Sequence, residues 1–269
     1  MPSIRLVAVD LDGTLLNDQK LVSPADLAAL QAAAARGIFA VIASGRIFSS
    51  VLPLSRAIAA GQPYLSSNGA LTGWNDREGF SRTALIGDDL VRFVLDEAAA
   101  ALGPSRRLHL HLLNGAMAHL QGPGLPKSWP AGETHLALPP DALAPAARGQ
   151  CLKFVIWAGE RPEGLRTLRQ KLEARGLSVA SSWAGNIEVM ASGIDKGEAL
   201  TALAATLGLS MGQVMALGDN ENDAGMFRAA GLPVAMGNAT PEIKALARDA
   251  TLDNNHGGVA AALKKHLNL

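Results

Sequence analysis

Residues 4–16 read IRLVAVDLDGTLL. A largely apolar, β-branched run from Ile4 to Val9 stops at two acids, Asp10 and Asp12, followed by Gly13 and Thr14. Continuous apolar runs of this kind form buried strands in parallel sheets. Two physical readings account for the acids. Aspartate is common in turns because its carboxylate bonds nearby backbone, so the pair could simply close the strand. Alternatively, two carboxylates held one residue apart at a strand end can bind a divalent cation and act on a substrate. Partners elsewhere in the chain decide between these readings.

Outward from this strand, the apolar pattern alternates between strand and helix. Pro24 to Ala35 is predicted helical, with Ser23 as its N-cap and Pro24 at the favoured first position. Phe39 to Ala43 is a short strand, Ile47 to Ala60 has helical spacing, Pro63 to Ser66 is a third strand, and Asn68-Gly69 marks a turn. The rhythm returns late: helix Lys196 to Leu207, strand Val214 to Leu217, helix Asn222 to Ala230, strand Pro233 to Met236, helix Pro241 to Ala247, and a last amphipathic helix ending near His266. Such alternation implies an α/β fold, a doubly wound, Rossmann-like parallel sheet covered on both faces.

Between these halves, residues 81–186 change texture. Segments such as LHLHLLNG and CLKFVIWAG, with helical stretches at Asp88 to Leu102 and Pro162 to Arg175, predict an α+β insert with its own antiparallel sheet. Gly122 to Pro140, rich in Gly and Pro, is expected to be irregular. The doubly wound part of the chain is thus discontinuous, residues 1–80 and 187–269. Trp74, Trp129, Trp157, Trp183, His109, His111, His119 and His135 fall in or beside the insert and read individually as core or surface residues.

Composition narrows the function. At 269 residues the chain can bury a full core, and 48% hydrophobic with 18% charged residues is ordinary for a folded protein. Its 24 basic and 24 acidic residues cancel, so neither a nucleic-acid partner nor an anionic membrane is expected, and any affinity for phosphate must be local. A lone cysteine, Cys151, excludes an intrachain disulfide framework and fits a reducing cytoplasm. No signal peptide and no membrane span are expected. Oligomeric state stays open.

In a doubly wound sheet, ligands sit beyond the carboxyl ends of the strands. The first strand delivers Asp10 and Asp12 there. The second delivers Ser44-Gly45-Arg46, whose hydroxyl and backbone N–H groups near a helix start could hold an anion. The strand at Val214 delivers Gly218, Asp219, Asn220, Glu221, Asn222 and Asp223, a second oxygen-rich cluster suited to Mg²⁺ or, more simply, to helix capping. Lys196 lies in the first turn of a predicted helix, where a cation opposes the helix dipole, so an anion nearby explains its position.

DLDGT, Ser44, Lys196 and GDNEND, in this order and spacing, resemble the four motifs of the haloacid dehalogenase superfamily, and within it the Cof-type phosphatases with a large α+β cap. The SSNGA turn at Ser66 to Ala70 and the insert after it extend the resemblance to the whole chain. The resemblance implies a Mg²⁺-dependent phosphatase acting on small phosphorylated metabolites such as sugar phosphates. Asp10 is the implied nucleophile, forming an aspartyl-phosphate, and Asp12 the general acid and then base. Mg²⁺ is expected on the Asp10 carboxylate, the Asp12 backbone carbonyl and Asp219, with Asn222 and Asp223 as outer ligands. Ser44 and Lys196 would bind the phosphoryl group, with Gly45, Arg46 and Asn68 as further substrate contacts. Two other readings stay open: a phosphomannomutase-like enzyme that returns the phosphoryl group to the sugar, and a non-catalytic phosphometabolite-binding regulator.

Overall fold

A computed structural model describes residues 3–104, 106–122, 125, 133–159, 161–183 and 185–269; Trp129 lies outside the described residues. The chain divides into two compact units. One comprises Met1–Arg46, Val51–Arg82 and Asp195–Leu269, the other Ile47–Ser50 and Thr83–Ile194.

The first unit is built on β1 (Leu6–Val9), β2 (Phe39–Ala43), β3 (Pro63–Ser66), β4 (Leu71–Trp74) and β5 (Phe80–Thr83). Every residue of β1 is buried, as a central parallel strand requires. β1 pairs in parallel with β2 on one side, Val9 opposite Ile42. Helices α1 (Pro24–Ala35) and α2 (Phe48–Ile58) follow β1 and β2. Ser23 caps α1 as expected, its hydroxyl accepting the Asp26 N–H at 3.0 Å. After the turn at Asn68, β4 runs antiparallel to β3, with Leu65 opposite Thr72. β4 is masked in the sequence by Gly73 within it and by the turn-rich residues 75–79 after it, which read as loop.

The second unit contains α3 (Asp88–Leu102), β6 (Arg107–Leu112), β7 (Ala116–Leu120), β8 (Thr134–Leu138), α4 (Pro140–Ala147), β9 (Cys151–Trp157), α5 (Pro162–Ala174), β10 (Ser178–Ala180) and β11 (Asn186–Met190). These strands form one sheet in the order β10-β11-β9-β6-β7-β8. Two expectations are corrected. Within the stretch from Gly122 to Pro140, of which 123, 124 and 126–132 lie outside the described residues, Thr134–Leu138 forms the strand β8, and β8 pairs with β7 in parallel, so the sheet is not wholly antiparallel. The alternation His135, Ala137 against Leu136, Leu138 satisfies the period of a strand despite its Gly- and Pro-rich flanks. β11 hydrogen-bonds to β9 and β10, so by packing the chain returns to the first unit at Ile194/Asp195 rather than near residue 187.

Strict alternation sorts the faces of this sheet. Leu108, Leu110, Phe154, Ile156 and Ile187 join Val94, Leu168 and Leu172 from α3 and α5 in the hydrophobic core. His109 and His111 take the other face, with His109 opposite His119 of β7 and His111 opposite Lys153 of β9.

Back in the first unit come α6 (Lys196–Thr206), β12 (Val214–Gly218), α7 (Ala224–Ala229), β13 (Leu232–Ala235), α8 (Pro241–Leu246), β14 (Asp249–Ala250) and α9 (Gly258–Leu267). The segment expected as one helix from Asn222 begins instead as a 3₁₀ turn at Glu221–Asp223 and becomes α-helical only at Ala224, because Asn220 caps the short turn. The sheet of this unit is ordered β14-β13-β12-β1-β2-β3-β4-β5. β12 pairs in parallel with β1, Leu217 opposite Val9, on the side away from β2. Strand order therefore reverses at β1, which opens a crevice beyond the carboxyl ends of β1 and β12. No helix among the described residues is long and apolar enough to cross a membrane.

Candidate active site

The crevice is lined by what each strand releases at its carboxyl end. Asp10 follows β1, and its N–H still donates to the Leu217 carbonyl at 3.1 Å, which holds the residue against β12. Asp219 and Asp223 follow β12. Asp10, Asp219 and Asp223 are all buried, and each offers a carboxylate oxygen lying within 4.8 Å of the others.

One cation enters this acidic group. Lys196, wholly buried at the start of α6, donates from Nζ to Asp10 Oδ1 at 2.6 Å and to Asp223 Oδ1 at 2.7 Å. Its unusual place in a helix first turn is thus explained by two carboxylates, which raise its proton affinity above that of an ordinary lysine although burial acts the other way. The second oxygen of Asp223 accepts the backbone N–H groups of Asp219, at 2.8 Å, and Asn220, at 3.2 Å. Asp223 therefore shapes the loop as well as pairing the lysine.

Asp219 accepts a hydrogen bond from Thr14 Oγ1 at 2.9 Å. Gly13, at a left-handed φ of 83°, lets the first loop pass this close, since a Cβ there would come within 2.4 Å of Asp219 Oδ2. The Gly13 carbonyl in turn accepts the Asn238 side-chain amide at 2.7 Å.

Three buried carboxylates face one ammonium, which leaves negative charge uncompensated. Burial and this repulsion hold Asp10 well above the ordinary carboxylate range, and burial with the neighbouring Asp223 pushes Asp219 up to about 7. An all-oxygen donor set with excess negative charge fits a hard dication, whose charge would restore the ionised acids.

Asp12 behaves differently. Its carboxylate accepts from Arg46 Nε at 2.7 Å and Nη2 at 2.8 Å, and from Lys20 Nζ at 2.8 Å. Burial alone would raise its pKa, but these bonds outweigh burial and hold it at about 2. The Asp12 side chain is therefore not part of the acidic cluster, which leaves only its backbone as a route to a metal there.

Ser44 is buried beyond β2, with its Oγ accepting the Arg46 N–H at 3.1 Å. The Asn68 N–H donates to the Ser44 carbonyl at 3.0 Å and the Ser67 N–H to the Arg46 carbonyl at 2.9 Å, so the turn after β3 braces the Ser44-Gly45-Arg46 loop. Ser67 and Asn68 hold positive φ values of 49° and 56°, a cost that the bracing offsets. Asn222 lies half-buried in the turn between Asp219 and Asp223.

The structure thus brings together Asp10, Asp219, Asp223 and Lys196 in one cluster, and Asp12, Ser44, Arg46 and Asn68 in loops beside it within the same unit. Sequence reasoning did not single out Thr14, Lys20 or Asn238. Thr14 was within reach, as a hydroxyl in the same turn as the two acids. Lys20 and Asn238 carry no pattern that distinguishes them from surface residues.

Residues 7–98 and 145–263 match the sequence pattern described as haloacid dehalogenase-like hydrolase. A 5-amino-6-(5-phospho-D-ribitylamino)uracil phosphatase of Bacillus subtilis is 31% identical over 97% of this chain and 95% of its own. A pyridoxal phosphate phosphatase of Escherichia coli is 28% identical over 98% of both. Among solved structures, a haloacid dehalogenase-like hydrolase from B. subtilis superposes with a TM-score of 0.86 at 24% identity, covering 97% of this chain and 99% of the other. A subclass IIB sugar phosphatase of the same superfamily gives a TM-score of 0.82 at 20% identity, covering 98% and 99%.

Proposed function

This chain belongs to the haloacid dehalogenase-like hydrolases and is, with its relatives, a phosphoric monoester hydrolase; from that premise we propose that it uses Asp10 as a covalent nucleophile in a Mg²⁺-dependent hydrolysis of small phosphorylated metabolites. The observation that carries this reading is the buried group of Asp10, Asp219 and Asp223 around the Lys196 ammonium.

In the first displacement, an Asp10 carboxylate oxygen attacks phosphorus, the ester P–O bond breaks, and the departing oxygen takes a proton from Asp12. In the second, water attacks the same phosphorus, its proton returns to Asp12, and the Asp10 carboxylate leaves with inorganic phosphate released. Lys196 offsets the charge of the nucleophile and of the phosphoryl oxygens. Ser44 Oγ already accepts from Arg46, so its own O–H can donate to the phosphoryl group. Asp12 is held ionised at rest by Arg46 and Lys20. A phosphoryl dianion that draws Arg46 away would let Asp12 take up the proton it must donate.

Magnesium, when bound, supplies further neutralisation of phosphoryl charge. The Asp10 and Asp219 carboxylates and the Asp12 backbone carbonyl would hold it, with Asp223 and Asn222 as outer groups. Relatives act on a phosphorylated ribitylaminouracil and on pyridoxal phosphate, which supports a phosphorylated small molecule of comparable size as substrate. The lone buried Cys151 supports a reducing, cytoplasmic setting. Hydrolysis of an aryl phosphate with and without Mg²⁺ tests the reading. Turnover that requires the cation and disappears in Asp10→Asn is expected; equal turnover in the variant contradicts it.

A further inference from the structure

The chain leaves the first unit after Arg82 and re-enters it at Asp195. Beside these two crossings lies a fork of two charge-assisted bonds. The Arg82 guanidinium donates from both terminal nitrogens, each at 2.7 Å, to the two carboxylate oxygens of Glu198. Glu198 sits in the first turn of α6, two residues beyond Lys196.

That turn is tightly specified. Asp195 caps it, accepting the Glu198 N–H at 2.7 Å, and Ala199 N–H donates to the Asp195 carbonyl at 3.2 Å. Gly197 packs on the backbone of Gly225, where an added Cβ would lie 2.2 Å from the Gly225 carbonyl carbon. These contacts fix the turn within the first unit. The Arg82 fork ties it to β5.

Isolated surface ion pairs contribute little, because solvent screens them and two flexible side chains must be ordered. Arg82 and Glu198 differ on both counts. Both are only about a third exposed, at 31% and 40%, and the bidentate geometry fixes the guanidinium plane. Arg82 is also carried on β5, so its main chain is already ordered on one side.

We infer that Arg82 is a positioning residue: its fork to Glu198 ties the end of β5 to the helix turn that carries Lys196, within the first unit. The fork thereby braces the backbone of Lys196, whose Nζ must stay in contact with Asp10. The kinetic part of this inference rests on the phosphatase reading above; the brace itself does not.

The test uses the full chain with Arg82→Ala, Glu198→Ala and the exchanged pair Arg82→Glu/Glu198→Arg. Amide hydrogen exchange at Lys196 to Ala199 and Mg²⁺-dependent hydrolysis of an aryl phosphate are both measured. Each single variant should exchange these amides roughly tenfold faster and lose about threefold to tenfold in kcat, with KM moved less, and the exchanged pair should recover both. If a single variant does not fold, Arg82→Lys, which keeps the charge and loses the fork, takes its place. Exchange as slow as in the wild type overturns the brace, as does an exchanged pair of unchanged Tm that fails to slow exchange. Faster exchange with kcat untouched overturns the link to Lys196. Absence of any hydrolysis by the wild type overturns the phosphatase reading and leaves exchange to decide the brace.

Discussion

Lys196 Nζ stands 2.6 Å from Asp10 Oδ1, with both side chains sealed from solvent. A buried ion pair need not add stability over an apolar pair, but removing one partner leaves an uncompensated charge. Lys196→Met should therefore destabilise the metal-free protein by about 3–5 kcal/mol, and saturating Mg²⁺ should recover part of that loss. Urea unfolding with and without the cation checks this. Equal stability of variant and wild type without Mg²⁺ would mean that Asp10 takes up a proton at little cost.

Asp219, pushed up to about 7, supplies a pH dependence of metal binding. Below that value the carboxyl carries a proton which an incoming dication must displace. Mg²⁺ affinity should accordingly be near its plateau at pH 8 and fall by up to about tenfold per pH unit below 7, with proton release on binding. Titration calorimetry in two buffers of different ionisation enthalpy reads both. An affinity flat from pH 8 to 6 would remove Asp219 from the metal site.

The motifs around Asp10, Asp219 and Lys196 were legible because each breaks a local rule. Acids end a buried strand, and a cation opens a helix. The partnership among them was legible only through strand order, since Thr14 and Asp219 lie 205 residues apart yet share a hydrogen bond. What stayed hidden has a physical reason in each case. The clamp on Asp12 adds Lys20 to Arg46, and Lys20 reaches back across the loop from a position that no motif marks. β8 was obscured by the Gly- and Pro-rich composition around it, and its parallel pairing follows from the chain path rather than from any residue. The histidines of the second unit, taken one by one, looked ordinary, and only the sheet register brings them together.

Those histidines predict an acid-sensitive second unit. His119 Nε2 and His135 Nδ1 are 2.8 Å apart, His135 Nε2 meets Glu133 at 2.9 Å, and the rings of His109 and His111 stack at 5.2 Å. Burial, then the neighbouring histidines and the Lys153 ammonium, hold His109 and His111 well below the ordinary value of 6.5; burial and His135 take His119 down to about 4. A base with a lowered folded pKa binds fewer protons folded than unfolded between the two values. Its contribution is full above 6.5 and is lost as pH falls towards 4. Tm should drop across this window, and less steeply in His109→Phe/His119→Phe. Parallel Tm curves for the two proteins would exclude the cluster as the source.

Asp12→Asn should separate the two displacements. A good aryl leaving group needs little help from a general acid, so the first step survives, whereas the second loses its base. Steady-state turnover should fall by roughly 10²-fold or more after a burst of released phenol that approaches one equivalent. A variant with unchanged steady-state turnover would remove Asp12 from proton transfer.

Covalent catalysis through Asp10 is the central claim, and the stalled Asp12→Asn protein offers its most direct measurement. Acid quench during the burst, proteolysis and mass spectrometry should find one phosphoryl group, labile to hydroxylamine as an acyl phosphate is, on the peptide that contains Asp10. Phosphoryl label on another residue, or a full burst with the Asp10 peptide unmodified, would contradict the account.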